Sequence, residues 1–177
     1  MGVGERLGGG AGAVTLKRSF PPVVDAATRV LVLGSLPGDA SLRAHRYYAH
    51  PANQFWQLLS RPAGVDLPAL AYEEQLAALL ARGIGLWDVI AQATRPGSSD
   101  AAIRDVTGND LLGLVAQLPA LRAIAFNGGA ALRIGLRALG AAAAQRWAVL
   151  PLPSSSPLHT VGLSAKQPAW DAITIHL

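Results

Sequence analysis

Arg29-Val-Leu-Val-Leu-Gly34, continued by Ser35-Leu-Pro-Gly38, is the stretch on which the fold turns. Its apolar residues run consecutively up to a glycine, with no polar face between them. That is the form of a strand buried on both sides of a sheet. Working outward, residues 84–90, 121–126 and 147–150 read as further strands. Helical stretches separate them. Residues 53–60 carry Phe55, Trp56, Leu58 and Leu59 on an apolar face, residues 68–82 stop at Gly83, residues 109–118 end before Pro119, and residues 128–139 follow the third strand. Ser164-Ala-Lys-Gln167 has the pattern of a capping box, so a last helix is expected to begin there. This alternation predicts an α/β fold: a three-layer α/β/α sandwich with a central parallel sheet of about four strands. Residues 1–20 are expected to form a flexible or loosely docked arm, and residues 21–177 a single domain.

In such sheets ligands sit beyond the carboxyl ends of the strands. That rule marks residues 34–53, 127–129 and 151–160, which are also the segments of unusual local sequence. Residues 35–51 read as a polar loop long enough to carry function. The first strand is followed by neither a GxGxxG nor a GxxxxGK[ST] loop, which argues against a dinucleotide or nucleoside-triphosphate site. The loop instead runs into Tyr47-Tyr-Ala-His-Pro-Ala-Asn-Gln-Phe-Trp56. Aromatics beside His and Asn suit a pocket that stacks a flat heterocycle and bonds its edge.

Composition narrows the chemistry. Hydrophobic residues make up 51% of the chain and charged ones 15%, enough apolar material for a core and too much for a disordered chain. No cysteine is present, which excludes a disulfide framework, a thiolate nucleophile and an iron–sulfur cluster. His45, His50, His159 and His176 are scattered, and no metal site is expected. Charges or prolines interrupt every hydrophobic stretch, and the Gly-rich start has no signal-like apolar segment, so a cytoplasmic protein with no membrane span is expected. The net charge is +4, with thirteen arginines and only Lys17 and Lys166 as lysines. Such a balance permits a polyanionic partner through counterion release. A GC-rich genome would give the same arginine bias.

Three motifs make the chain resemble the uracil-DNA glycosylase superfamily, above all its hypoxanthine-DNA glycosylase branch and also its mismatch-specific branch. They are Gly-Ser-Leu-Pro-Gly at 34–38, His-Pro-Ala-Asn-Gln-Phe-Trp at 50–56 and Phe-Asn-Gly at 126–128. Leu-Pro-Ser-Ser-Ser-Pro at 152–157 stands where the family keeps its second catalytic motif, and weaker similarity extends over residues 85–89 and 95–103. The likeness spans most of residues 28–175. In the mismatch-specific branch the first motif carries a water-positioning Asn, and here that position is Leu36, which cannot orient a water. The hypoxanthine branch also lacks that Asn, so the resemblance favours hypoxanthine over uracil.

The resemblance implies catalysis by Asn53 with help from Asn127, and stacking of the base on Tyr48. Base contacts are also expected from Ser35 and Asn127, and His159, just after the Ser-Pro loop, is expected to touch the base or a phosphate. It implies a DNA-binding loop of Ser154, Ser155, Ser156, Pro157 and Leu158, which presses on the duplex and fills the gap left by the extruded nucleotide. No metal and no organic cofactor is implied. The expected partner is DNA, double- or single-stranded, carrying a deaminated base, bound by a monomer. Each residue has a plainer role beside this one. Asn53 could be the N-cap of the helix that follows, and both roles can hold together. Asn127 could be a turn residue, and Tyr48 loop packing. His50 is expected to brace its loop, Asp88 to be a structural acceptor, and Asp39 is a weaker candidate for orienting a water. Rival functions are excision of uracil from G·U mismatches, a non-catalytic nucleic-acid-binding module, and a small-nucleotide-binding protein.

Overall fold

The computed structural model describes residues 15–177. Its centre is a parallel sheet of four strands in the order β3-β2-β6-β7, formed by β2 (Val30–Gly34), β3 (Ile84–Asp88), β6 (Ala123–Asn127) and β7 (Ala148–Leu152). β2 is buried at every position, as its unbroken apolar run predicts. Its two faces feed two cores. Leu31, Leu33, Ile124 and Phe126 pack with α4 (Leu111–Val115) and α5 (Gly129–Leu139). Val30, Val32, Ala123 and Ala125 pack with Phe55, Leu58 and Leu59 of α2 (Phe55–Ala63), Leu79 of α3 (Tyr72–Arg82) and Trp170 of α7 (Leu163–Asp171). The expected three-layer α/β/α sandwich is therefore present.

Several boundaries differ from expectation, each for a local reason. Residues 35–51 are not all loop: α1 (Asp39–Ala44) lies inside them. The helix expected from Asn53 starts at Phe55 with Gln54 as N-cap, and the one expected from Pro68 is a 3-10 turn over Leu67–Ala69 followed by α3. β7 extends past the expected end at residue 150 and through Pro151, because β7 is an edge strand and a missing N–H there costs no ladder bond. α7 begins at Leu163 with Gly162 as its N-cap, so Ser164 lies inside the helix and does not cap it. A short helix α6 (Ala143–Arg146) precedes β7.

The larger departure is a second sheet. β1 (Leu16–Arg18), β4 (Ile90–Thr94) and β5 (Arg104–Gly108) form an antiparallel sheet in the order β1-β4-β5. The chain steps into it through Val89, directly from the carboxyl end of β3. The single strand expected over residues 84–90 is therefore divided between β3 and β4. The pairing of β1 with β4 also docks residues 16–18 of the expected arm. The rest of that arm, residues 1–14, lies outside the described residues.

Candidate active site

The carboxyl ends of the parallel strands open into a cavity of about 650 Å³. Strand register sets Gly34 opposite Asp88 and Asn127 opposite Leu152, so the floor is made from the last residues of the strands. Residues from all three marked segments line it, among them Ser35, Leu36, Tyr48, Asn53, Asn127, Ser154 and His159.

Asn127 and Ser155 form the tightest joint in the floor. Asn127 Nδ2 donates to Ser155 Oγ at 2.8 Å, and the Ser155 N–H donates to Asn127 Oδ1 at 2.9 Å. Ser155 is wholly buried, and its carbonyl accepts from the Gln54 N–H at 3.0 Å, which ties the Ser-rich loop to the start of α2. The loop is anchored from outside by Trp170, whose indole donates to the Pro153 carbonyl at 3.0 Å. Gly128 makes this close approach possible. It has φ of 93°, and a β-carbon there would come within 3.2 Å of Ser154 Cβ. Ser155, expected on the DNA-binding loop, thus faces inward and holds Asn127, while Ser154, Ser156, Pro157 and Leu158 remain partly or fully exposed. Leu158 forms the outermost tip at 64% exposure.

Asn53 serves the helix and the cavity together. Its Oδ1 accepts from the Phe55 N–H at 3.0 Å, satisfying one of the helix's free amides even though Gln54 is the formal cap. A carbonyl oxygen has a second lone pair, and Nδ2 makes no hydrogen bond to the described residues, so the amide keeps capacity for a water or a substrate. His50 Nδ1 accepts from the Ala52 N–H at 3.0 Å and braces the turn that presents Asn53.

Tyr48 sits in the left-handed region with φ of 53°, a conformation that costs a non-glycine residue energy and recurs at functional sites. One face of its ring stacks on Phe55 at 3.6 Å between centroids and 11° between planes. Its hydroxyl is buried without a hydrogen-bond partner. Burial and the Asp88 carboxyl hold the phenol well above its usual pKa, against a smaller opposite pull from Asn127. Gly34 makes room for both groups: a β-carbon there would lie 2.6 Å from Asp88 Oδ1 and 2.7 Å from Tyr48 Oη. Asp88, expected as a structural acceptor, is buried with Oδ2 unpartnered. Burial, with the Asp100 carboxylate adding and Arg95 opposing, pushes its pKa up to about 7.

A network after β4 closes the side of the cavity. The buried Arg95 donates through Nε to the Gly97 carbonyl at 3.0 Å, through Nη2 to the Pro37 carbonyl, and pairs with Asp100 at 3.7 Å. Ser35 Oγ, expected to touch the base, donates to Asp100 Oδ1 at 2.7 Å. Asp39, a candidate for orienting a water, instead forms an ion pair with Lys17. Leu36 is buried at the cavity wall. His159 is exposed at the rim, its carbonyl held by Lys166 Nζ at 3.0 Å. The structural parts played by Arg95, Asp100 and Ser155 escaped the sequence reading. Two opposite charges in a Gly/Pro/Ser loop were the available signal for the first two.

The profile of the Uracil DNA glycosylase superfamily matches residues 21–174. The chain belongs to that superfamily. By that membership it is a DNA glycosylase, an enzyme that hydrolyses N-glycosyl bonds. It is 40% identical over 163 residues to a protein of Methanosarcina acetivorans named hypoxanthine DNA glycosylase, covering 91% of this chain and 99% of the relative. A Methanosarcina barkeri protein of the same name is 46% identical over 112 residues, covering 63% of this chain and 71% of the relative. Both carry the name of the branch that the three motifs resemble. The solution NMR structure of a candidate uracil DNA glycosylase from M. acetivorans superposes with a TM-score of 0.79 at 40% identity, covering 92% of this chain and 98% of that one. Among the described residues, no helix is long and apolar enough to cross a membrane.

Proposed function

We propose that this glycosylase excises deaminated bases from DNA, hypoxanthine first, leaving an abasic site in an intact strand. The observation that carries the reading is Asn53, whose amide lines the cavity with unused hydrogen-bonding capacity opposite a floor of strand ends. The two relatives named for hypoxanthine support the choice of base. So does Leu36, an apolar side chain where mismatch-specific relatives place a water-orienting amide.

The target nucleotide flips out of the helix, and its base enters the cavity against the Tyr48 ring, whose other face is already stacked on Phe55. Asn53 orients a water toward C1′ of the sugar. As the glycosidic bond stretches, positive charge grows on the sugar and negative charge on the base. Asn127 has a second N–H beyond the one given to Ser155, and that donor meets the charge developing on the base. Preorganised donors of this kind are worth about 3–4 kcal/mol each at a developing anion. Leu158 fills the gap in the duplex, and the hydroxyls of Ser154 and Ser156 hold flanking phosphates. Neither of the two lysines lines the cavity, so no Schiff base forms and the strand is not nicked. A monomer suffices for so short a footprint. The enzyme is proposed to act on DNA in the cytoplasm.

Labelled duplexes carrying hypoxanthine, xanthine, uracil or a normal base, incubated with enzyme in EDTA, test this directly. Abasic sites should appear first opposite hypoxanthine, and strands should break only after alkali or heat. Nicking without alkali, dependence on metal, or release of no base by a folded DNA-binding preparation would overturn the reading. The last result would leave a binding module.

A further inference from the structure

The mechanism above leaves the base's departure to hydrogen bonding alone, yet a buried carboxyl stands at the floor of the same cavity without a task. Asp88 ends β3 beside Gly34, lines the cavity and has no hydrogen-bond partner at Oδ2. A buried polar atom left unpaired costs about 1–3 kcal/mol, so its persistence at a cavity wall points to a ligand that completes it. We propose that Asp88 is the catalytic proton donor to the departing purine.

The inference rests on the hypoxanthine reading and deepens it. A purine offers N7 as an acceptor on the ring that carries the glycosidic bond. As the C1′–N9 bond breaks, its electron pair moves into the purine and the Asp88 O–H proton passes to N7, so the base leaves neutral. Water forms the new C1′–O bond and sheds its surplus proton to solvent, from which Asp88 is reprotonated. No further reactant is needed. The surroundings shift the group toward its neutral form. Burial disfavours the anion, the Asp100 carboxylate adds to it, and among the described residues Arg95 is the cation opposing them. The groups on the other side are the phenols of Tyr47 and Tyr48, both pushed well above their usual range and therefore uncharged. Asn53 and Asp88 then divide the labour: one amide for the water, one acid for the base.

Single-turnover excision of hypoxanthine as a function of pH tests this, with DNA affinity and thermal melting measured alongside. The wild-type rate should fall about tenfold per pH step above an apparent pKa near 7. Asp88→Asn keeps the shape but carries no transferable proton. Its rate should be about 10²–10³-fold lower at pH 6, within the range of general-acid effects, and should lose the alkaline fall. Asp100→Asn removes the carboxylate that raises Asp88 and should move the fall to lower pH. The proposal is overturned if Asp88→Asn stays within a few-fold of wild type, or if it keeps the alkaline fall at a lower rate, as a structural role would give. Should Asp88→Asn fail to fold, an Asp100→Asn profile that does not move overturns it equally. Wild type that releases no hypoxanthine would refute the functional reading itself, a result visible before any variant is made.

Discussion

Ser155 and Leu158 stand three residues apart in one loop and live in opposite surroundings. Ser155 is wholly buried and tied to Asn127 by two hydrogen bonds and to α2 through its carbonyl. Leu158 is 64% exposed, and only its backbone N–H is held, by Ser156 Oγ at 3.2 Å. The same division runs through the whole site. The floor, made of strand ends, is braced by the paired Asn127 and Ser155, while Asp88 Oδ2 and the nearby Tyr48 hydroxyl stay unpaired. The rim, made of loop tips, is free to meet a substrate. The comparison assigns chemistry to groups that are fixed yet incompletely paired, Asn53 above all, and assigns substrate deformation to the rim.

The largest effect expected is on Asn53. Replacing it with Ala should lower single-turnover excision by about 10²–10³-fold, as loss of a transition-state hydrogen bond does elsewhere. Its capping bond to Phe55 limits the stability cost to about 0.5–2 kcal/mol, and DNA affinity should barely change. If activity falls only as far as stability does, Asn53 is a helix cap and nothing more.

Asp88→Asn should change stability in a pH-dependent way. Asp88 has an ordinary value of 3.8 unfolded and about 7 folded. Between those values the folded state holds a proton that the unfolded state has released, so the wild type loses stability as pH rises through that window. The variant lacks this loss. Urea melts should therefore show the variant gaining on wild type from pH 4 to pH 7, by up to a few kcal/mol, and levelling off above. A gap that does not vary with pH would show that Asp88 ionises normally.

Ser155→Ala and Leu158→Ala break the comparison at its two ends. Ser155→Ala leaves the buried Asn127 Nδ2 short of an acceptor and should cost about 1–3 kcal/mol in denaturant melts, with excision falling as the floor loosens. Leu158→Ala should leave the melting temperature unchanged. Its excision should drop by about tenfold on paired duplexes, where unstacking costs a few kcal/mol, and hardly at all on single strands. Equal effects of the two variants on stability would dissolve the distinction between floor and rim.

The parallel sheet was legible because runs such as Val30 to Leu33 have no polar face and admit no other placement. The antiparallel sheet was not. β5, Arg-Asp-Val-Thr-Gly, is exposed at every position, so no alternation of buried and exposed residues marks it. β1 pairs with β4, far along the chain, a contact that no local pattern announces. In the site, the motifs brought the right segments together, but not the direction each side chain takes. Three consecutive serines look alike in sequence, and only the pull of Asn127 turns the middle one inward. Asp88 was read as a structural acceptor because it stands beside Trp87 within an expected strand. That it ends a buried strand beside a glycine, with its Oδ2 unpaired, is a fact of packing.

The most direct measurement is a single-turnover competition between two labelled duplexes, one with hypoxanthine and one with uracil, with the released bases identified by mass. An Asn53-centred site with Leu36 at its wall predicts hypoxanthine released well ahead of uracil, and uracil gaining ground only in Leu36→Asn. Uracil released as fast as hypoxanthine by the wild type, with Leu36 in place, would contradict the account.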